Sequence, residues 1–156
     1  MPAQGKTHQG TNQIYFHIAN EGADKKIIFR AEEDYETFVR YLGEYLSAPA
    51  ALNDLKKTFS INGRVYSGIP HQPKNFYNKV QLIAYCLKQS RFHLILSEKA
   101  EGDIQNFMRA LSTRYSMYFN QKYNRKGRLF AGSYKCTEIG SEANLICLTH
   151  YLHQQI

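Results

Sequence analysis

The chain has 156 residues, enough for one domain, and its 43% hydrophobic and 13% aromatic content excludes a disordered polypeptide. Lys and Arg number 20 against 13 Asp and Glu, a formal net charge of +7 that points to a polyanionic partner. No apolar run approaches the ~18 residues of a membrane span, and the polar stretch Met1–Thr11 has no signal-peptide core. The expectation is a cytoplasmic protein with a flexible tail over residues 1–12 and a single domain over 13–156.

Gln13–Ala19 is β-branched and aromatic, which predicts a first strand, with a turn over 20–24. From Ala31 the pattern turns helical: Tyr35, Phe38, Val39, Leu42, Tyr45 and Leu46 recur at three- and four-residue steps. Glu32, Glu33 and Asp34 stand in its first turn, where carboxylates complement the helix dipole. Residues 47–79 show little periodicity and read as an irregular insertion, with a short helix over 50–59.

Val80–Cys86 and Phe92–Leu96 predict two strands joined by a turn at Lys88-Gln89-Ser90. Asp103 is placed to cap a second helix with Ile104, Phe107, Met108, Leu111, Tyr115 and Tyr118 on one stripe. Another strand follows within 129–139, centred on 134–139. Ser141 then caps a last helix with Leu145, Ile146, Leu148 and Leu152 on its apolar side. Strand, helix, two strands, helix, strand, helix predicts an α+β fold, a ferredoxin-like sandwich with helices packed on one face of an antiparallel sheet.

Cys86, Cys136 and Cys147 form no C-x-x-C pair, so neither a zinc knuckle nor a disulfide framework is expected. The charge is unevenly spread. From Ile104 to Thr137 there is no Asp or Glu, while Arg109, Arg114, Lys122, Arg125, Lys126, Arg128 and Lys135 alternate with aromatic residues. Cations for phosphates and aromatic faces for unpaired bases are what single-strand binders use, although several of these rings must belong to the core.

Two polar pairs stand out. On a strand, residues two apart share a face, so Arg91 and His93 project side by side while Phe92 points the other way. A His at 91 would make a His-hydrophobic-His metal pair. On the last helix Tyr151 and Gln155 lie one turn apart, a spacing that by itself carries almost no information. His17 and His71 read as ordinary strand and loop histidines.

Several segments together resemble the REP-associated tyrosine transposases. These are A-Y-C-L-x-x-x-x-F-H-L-I-L at 84–96, R-Y-S-M-Y-F-N-Q-K-Y at 114–123, G-R-L-F-A-G-S-Y-K at 127–135 and L-T-H-Y-L-H-Q at 148–154. The opening I-Y-F-H-I-A-N-E-G at 14–22 and I-F-R-A-E-E-D-Y-E-T-F at 28–38 extend the likeness. That family comprises small single-strand transposases of the His-hydrophobic-His nuclease superfamily. The resemblance implies metal-assisted cleavage and rejoining of single-stranded or hairpin DNA through a 5′-phosphotyrosine.

By position it assigns Tyr151 as nucleophile, His93 and Gln155 as ligands of Mg²⁺ or Mn²⁺, and a DNA grip to Arg91, Arg114, Lys122, Arg125, Lys126, Arg128 and Lys135. The partner implied is DNA and not a membrane, and the resemblance leaves monomer and homodimer open. One departure matters. The family motif has His where this chain has Arg91, and a guanidinium is always protonated and offers no lone pair to a cation. Cleavage is therefore expected to be impaired, with Arg91 holding phosphate directly, and Mg²⁺ or Mn²⁺ is needed only if the chain is active; the alternative is a domesticated, non-catalytic nucleic-acid-binding module.

Overall fold

The computed structural model describes residues 13–49, 56–68, 74–141 and 144–145. In chain order these form β1 (Tyr15–Glu21), a single 3₁₀ turn (Ala23–Lys25), α1 (Glu32–Leu46), β2 (Lys57–Ile61), β3 (Arg64–Gly68), β4 (Val80–Lys88), β5 (Arg91–Glu98), α2 (Asp103–Lys122) and β6 (Lys135–Ile139). The main sheet has the order β4-β5-β1-β6 with every neighbouring pair antiparallel. Helix α1 connects β1 to β4 across β5, and α2 connects β5 to β6 across β1. These are the two interlocked crossovers of the predicted ferredoxin-like sandwich.

Strand alternation decides which face the helices cover. Phe92, Leu94 and Leu96 of β5 and Ile18 of β1 are fully buried, and they pack with Phe38 and Leu42 of α1 and Phe107, Leu111, Tyr115 and Phe119 of α2. Each such side chain is worth roughly 1.5–3 kcal/mol of transfer free energy. Among the described residues, the opposite face carries a small buried apolar cluster, Ala84, Cys86 and Ile95, with Leu145 packed against it.

The two helices are also tied by a buried carboxylate. Asp34 is 0% exposed and accepts hydrogen bonds from the Arg30 and Ala31 amides at 2.8 and 3.1 Å, which fixes the start of α1. From α2 and the residue after it come the Tyr118 hydroxyl at 2.9 Å, the Lys122 ammonium at 2.9 Å and the Tyr123 hydroxyl at 2.6 Å. Burial alone would raise its pKa, but these donors win and hold it at about 2.

Two local expectations change. Residues 57–59, expected to end a short helix, belong to β2, because Asn62-Gly63 closes a β2–β3 hairpin. Both turn residues have positive φ (53° and 78°), the conformation a two-residue hairpin turn demands and Asn-Gly favours. Residues 50–55 of that expected helix lie outside the described residues, as does the tail at 1–12. At the second helix the N-cap is Gly102, with φ of 94°, rather than Asp103. Asp103 instead begins the helix and receives the Ala100 amide at 3.0 Å.

Candidate active site

The open face of the sheet is built by the residues that alternate with the core. The register sets Ala19 opposite His93 and Glu21 opposite Arg91 on β1–β5, Lys88 opposite Arg91 on β4–β5, and Lys135 opposite Ala19 on β1–β6. The two-residue turn at Gln89-Ser90 is clamped: the Gln89 carbonyl accepts from the Ile28 and Phe29 amides, and that of Ser90 from Gly22. Gly22 is required there, since a Cβ at this position would lie 2.1 Å from the Lys26 carbonyl oxygen. Arg91 therefore starts β5 at a fixed place.

Beside β1 the loop 131–133 is held by the Asn20 side-chain amide on the Gly132 carbonyl (3.1 Å) and the Ala131 amide on the Glu21 carbonyl (2.9 Å). Sheet and loop enclose a cavity of about 490 Å³ lined by His17, Ala19, Glu21, Arg91, His93 and Lys135 together with the loop. A larger cavity of about 840 Å³ opens between the end of α1 and the β4 edge, but none of the motif residues lines it.

His17 is not the ordinary strand histidine its local sequence suggests. Its Nε2 lies 3.0 Å from Nδ1 of His93, within hydrogen-bond distance. With ring centroids 5.2 Å apart and planes 11° from parallel, the rings meet edge to edge, nitrogen to nitrogen, in nearly one plane. Burial lowers the pKa of His17. Burial, then the charges of His17, Arg91 and Lys88, lower that of His93 to about 4. Both imidazoles are neutral at pH 7, so one donates and the other accepts.

The expected cations divide into two groups. Arg114 pairs with Glu44 at 2.6 Å and lies 3.8 Å over the Tyr41 ring. Lys122 is paired with Glu33 and Asp34, and Arg125 bonds the Asn120 carboxamide at 3.0 Å beside Phe119. These three have partners within the fold. Arg91, Lys126, Arg128 and Lys135 are exposed and make no ion pair among the described residues. Tyr151 and Gln155 lie outside the described residues. The chain approaching them is placed: the Ser141 hydroxyl accepts the Asn144 amide at 3.1 Å, as its capping role predicts, and Leu145 sits on the open-face cluster.

Comparison with known proteins places this chain in a family. The model of the family described as "Transposase IS200 like" matches residues 70–155, more than half of the chain. The chain belongs to the IS200-like transposases. Among solved structures it is similar to a candidate transposase from Deinococcus radiodurans R1, at 14% identity and a TM-score of 0.52, covering 97% of this chain and 98% of that one. That likeness concerns the fold, which is the same α+β arrangement. No curated protein matches the chain.

Among the described residues, the donors of this cavity do not fit the divalent-ion pair that the family resemblance implies. The place of the first imidazole is taken by Arg91, a cation, and Lys135 lines the same cavity. Among the described residues no three His, Cys, Asp or Glu side chains come together as a metal site. In this IS200-like transposase two cations, Arg91 and Lys135, and one carboxylate, Glu21, line the open-face cavity. No helix among the described residues is long and apolar enough to cross a membrane.

Proposed function

We propose that this chain binds single-stranded or hairpin DNA across the open face of its sheet and cleaves it weakly, through Tyr151. The observation that carries this reading is the cavity in which Arg91, His93 and Lys135 stand together, one strand face away from the core. Arg91 can engage the non-bridging oxygens of a phosphodiester as a fixed, planar cation. Lys135 adds charge beside it, and Lys126 and Arg128 extend the grip along the loop after α2.

Leu145 supports the assignment of Tyr151. It packs on the same face as His93, and the helix that the sequence predicts from there would advance about 9 Å over the six residues to Tyr151. Attack by the tyrosine oxygen would form a P–O bond to the 5′ side of the break. The bond to the 3′ oxygen breaks, that oxygen takes up a proton, and the tyrosine proton passes to solvent. Arg91 neutralises phosphate charge from the start and does not activate the nucleophile, so the step is slow.

The test is a labelled DNA hairpin incubated with Mn²⁺ and resolved on a denaturing gel. Wild type should give little covalent adduct and Arg91→His about tenfold more, by restoring a metal ligand. Arg91→His combined with Tyr151→Phe should give none. A wild-type adduct as abundant as that of Arg91→His, or one that survives Tyr151→Phe, contradicts the proposal.

A further inference from the structure

We infer that the open-face cavity is a metal-independent phosphate pocket in which His17 fixes the tautomer of His93, so that His93 Nε2–H becomes a third donor beside Arg91 and Lys135. This deepens the DNA-binding reading and rests on the same face, but it concerns the phosphate alone. The pair occupies adjacent strands. His17 stands opposite Ile95 and His93 opposite Ala19, so the two side chains reach each other diagonally on one face.

Their contact uses Nε2 of His17 and Nδ1 of His93, which leaves Nε2 as the remaining ring nitrogen of a residue that lines the cavity. A neutral imidazole carries one proton. If it sits on Nδ1 of His93, the nitrogen left for the cavity is a bare lone pair, suited to a cation. If His17 donates, Nδ1 of His93 accepts and the proton sits on Nε2, suited to an anion.

Arg91 and Lys135 by themselves would attract the bare lone pair, whereas an anion bound between them and His93 selects the tautomer with the proton on Nε2. Arg91 and Lys135 outnumber the single carboxylate of Glu21, and no cluster of three metal-binding side chains lies among the described residues. The occupant that fits is a phosphate group, held by two fixed charges and one neutral donor. His17 then acts as a positioning residue: it does not touch the phosphate, and it keeps the donor of His93 turned outward. This inverts the polarity of the family's ion site while using the same strand.

The experiment is a titration of ¹⁵N-labelled full-length protein with inorganic phosphate in EDTA, read by long-range proton–nitrogen spectra of the imidazole rings. With phosphate bound, His93 should carry its proton on Nε2, and its signals should shift on adding phosphate with no divalent ion present. His17→Ala should lower phosphate affinity by about tenfold, the scale of one hydrogen bond to a charged group. His17→Gln, whose amide can donate to Nδ1, should recover most of it, and the same spectra show that each variant is folded. A proton on Nδ1 of His93 with phosphate bound, an absolute requirement for Mg²⁺ or Mn²⁺, or unchanged affinity in His17→Ala would overturn the inference. Phosphate binding without hairpin DNA binding would reject the DNA reading and leave this one standing.

Discussion

Strand β5 presents two faces one residue out of phase, and they obey different rules. Phe92, Leu94 and Leu96 are fully buried under the helices, whereas Arg91 and His93 line an open cavity. The first face is a packing surface in which any hydrophobic residue of the right volume serves. The second is chemically particular, because Arg and His differ there in whether a cation or an anion is welcome. Alternation along one strand thus separates stability from function, and the substitution at 91 alters the site without touching the core.

The two faces of β5 should respond differently to truncation. Leu94→Ala should destabilise the fold by about 3–5 kcal/mol in chemical denaturation, as large-to-small changes in packed cores do. Arg91→Ala should stay within about 0.5 kcal/mol of wild type in the same experiment, as exposed positions usually do. A loss in Arg91→Ala comparable to that in Leu94→Ala would mean that the open face also carries the fold.

The carboxylate on the helix side sharpens the contrast. Asp34→Asn should cost about 1–3 kcal/mol, since at a fully buried position it puts amide hydrogens where the carboxylate accepts from two backbone amides and two tyrosine hydroxyls. The pH dependence follows from the depressed pKa. The contribution is complete above the unfolded value of 3.8 and is lost as pH falls through about 2, an effect on the order of 2 kcal/mol. Denaturation midpoints between pH 4 and 2 should therefore drop in wild type and flatten in Asp34→Asn.

A second pH effect, in a higher window, belongs to the open face. The fold disfavours protonated His93, so the unfolded chain takes up the proton first as pH falls below 6.5, and native stability declines until about pH 4. Below that the contribution is constant. Melting curves from pH 7 to 4 should show this slope in wild type and a weaker one in His93→Gln.

Much of this division was readable along the chain. The alternation at 91–96 separates core from open face, and the stripe Ile104, Phe107, Met108, Leu111 and Tyr115 marks the buried side of α2. The β2–β3 hairpin was also signalled locally by Asn62-Gly63, but the surrounding Pro and Gly residues obscured it. What the sequence conceals is pairing between distant residues. His17 gains meaning only when the β1–β5 register brings it to His93, 76 positions away. Likewise Arg114 and Lys122 look like surface cations until Glu44, Glu33 and Asp34 are folded against them. A basic run marks charge, and the fold decides which charges remain for a partner.

That distinction yields the most direct test of the open face as the DNA surface. Hairpin DNA binding should be followed by fluorescence anisotropy in EDTA over a range of salt concentrations. Arg91→Ala should weaken binding about tenfold and reduce the salt slope by about one, while Arg125→Ala, whose guanidinium already bonds Asn120, should leave the slope unchanged. Binding and salt slope unaltered in Arg91→Ala, with both lost in Arg125→Ala, would place the DNA elsewhere and contradict the account.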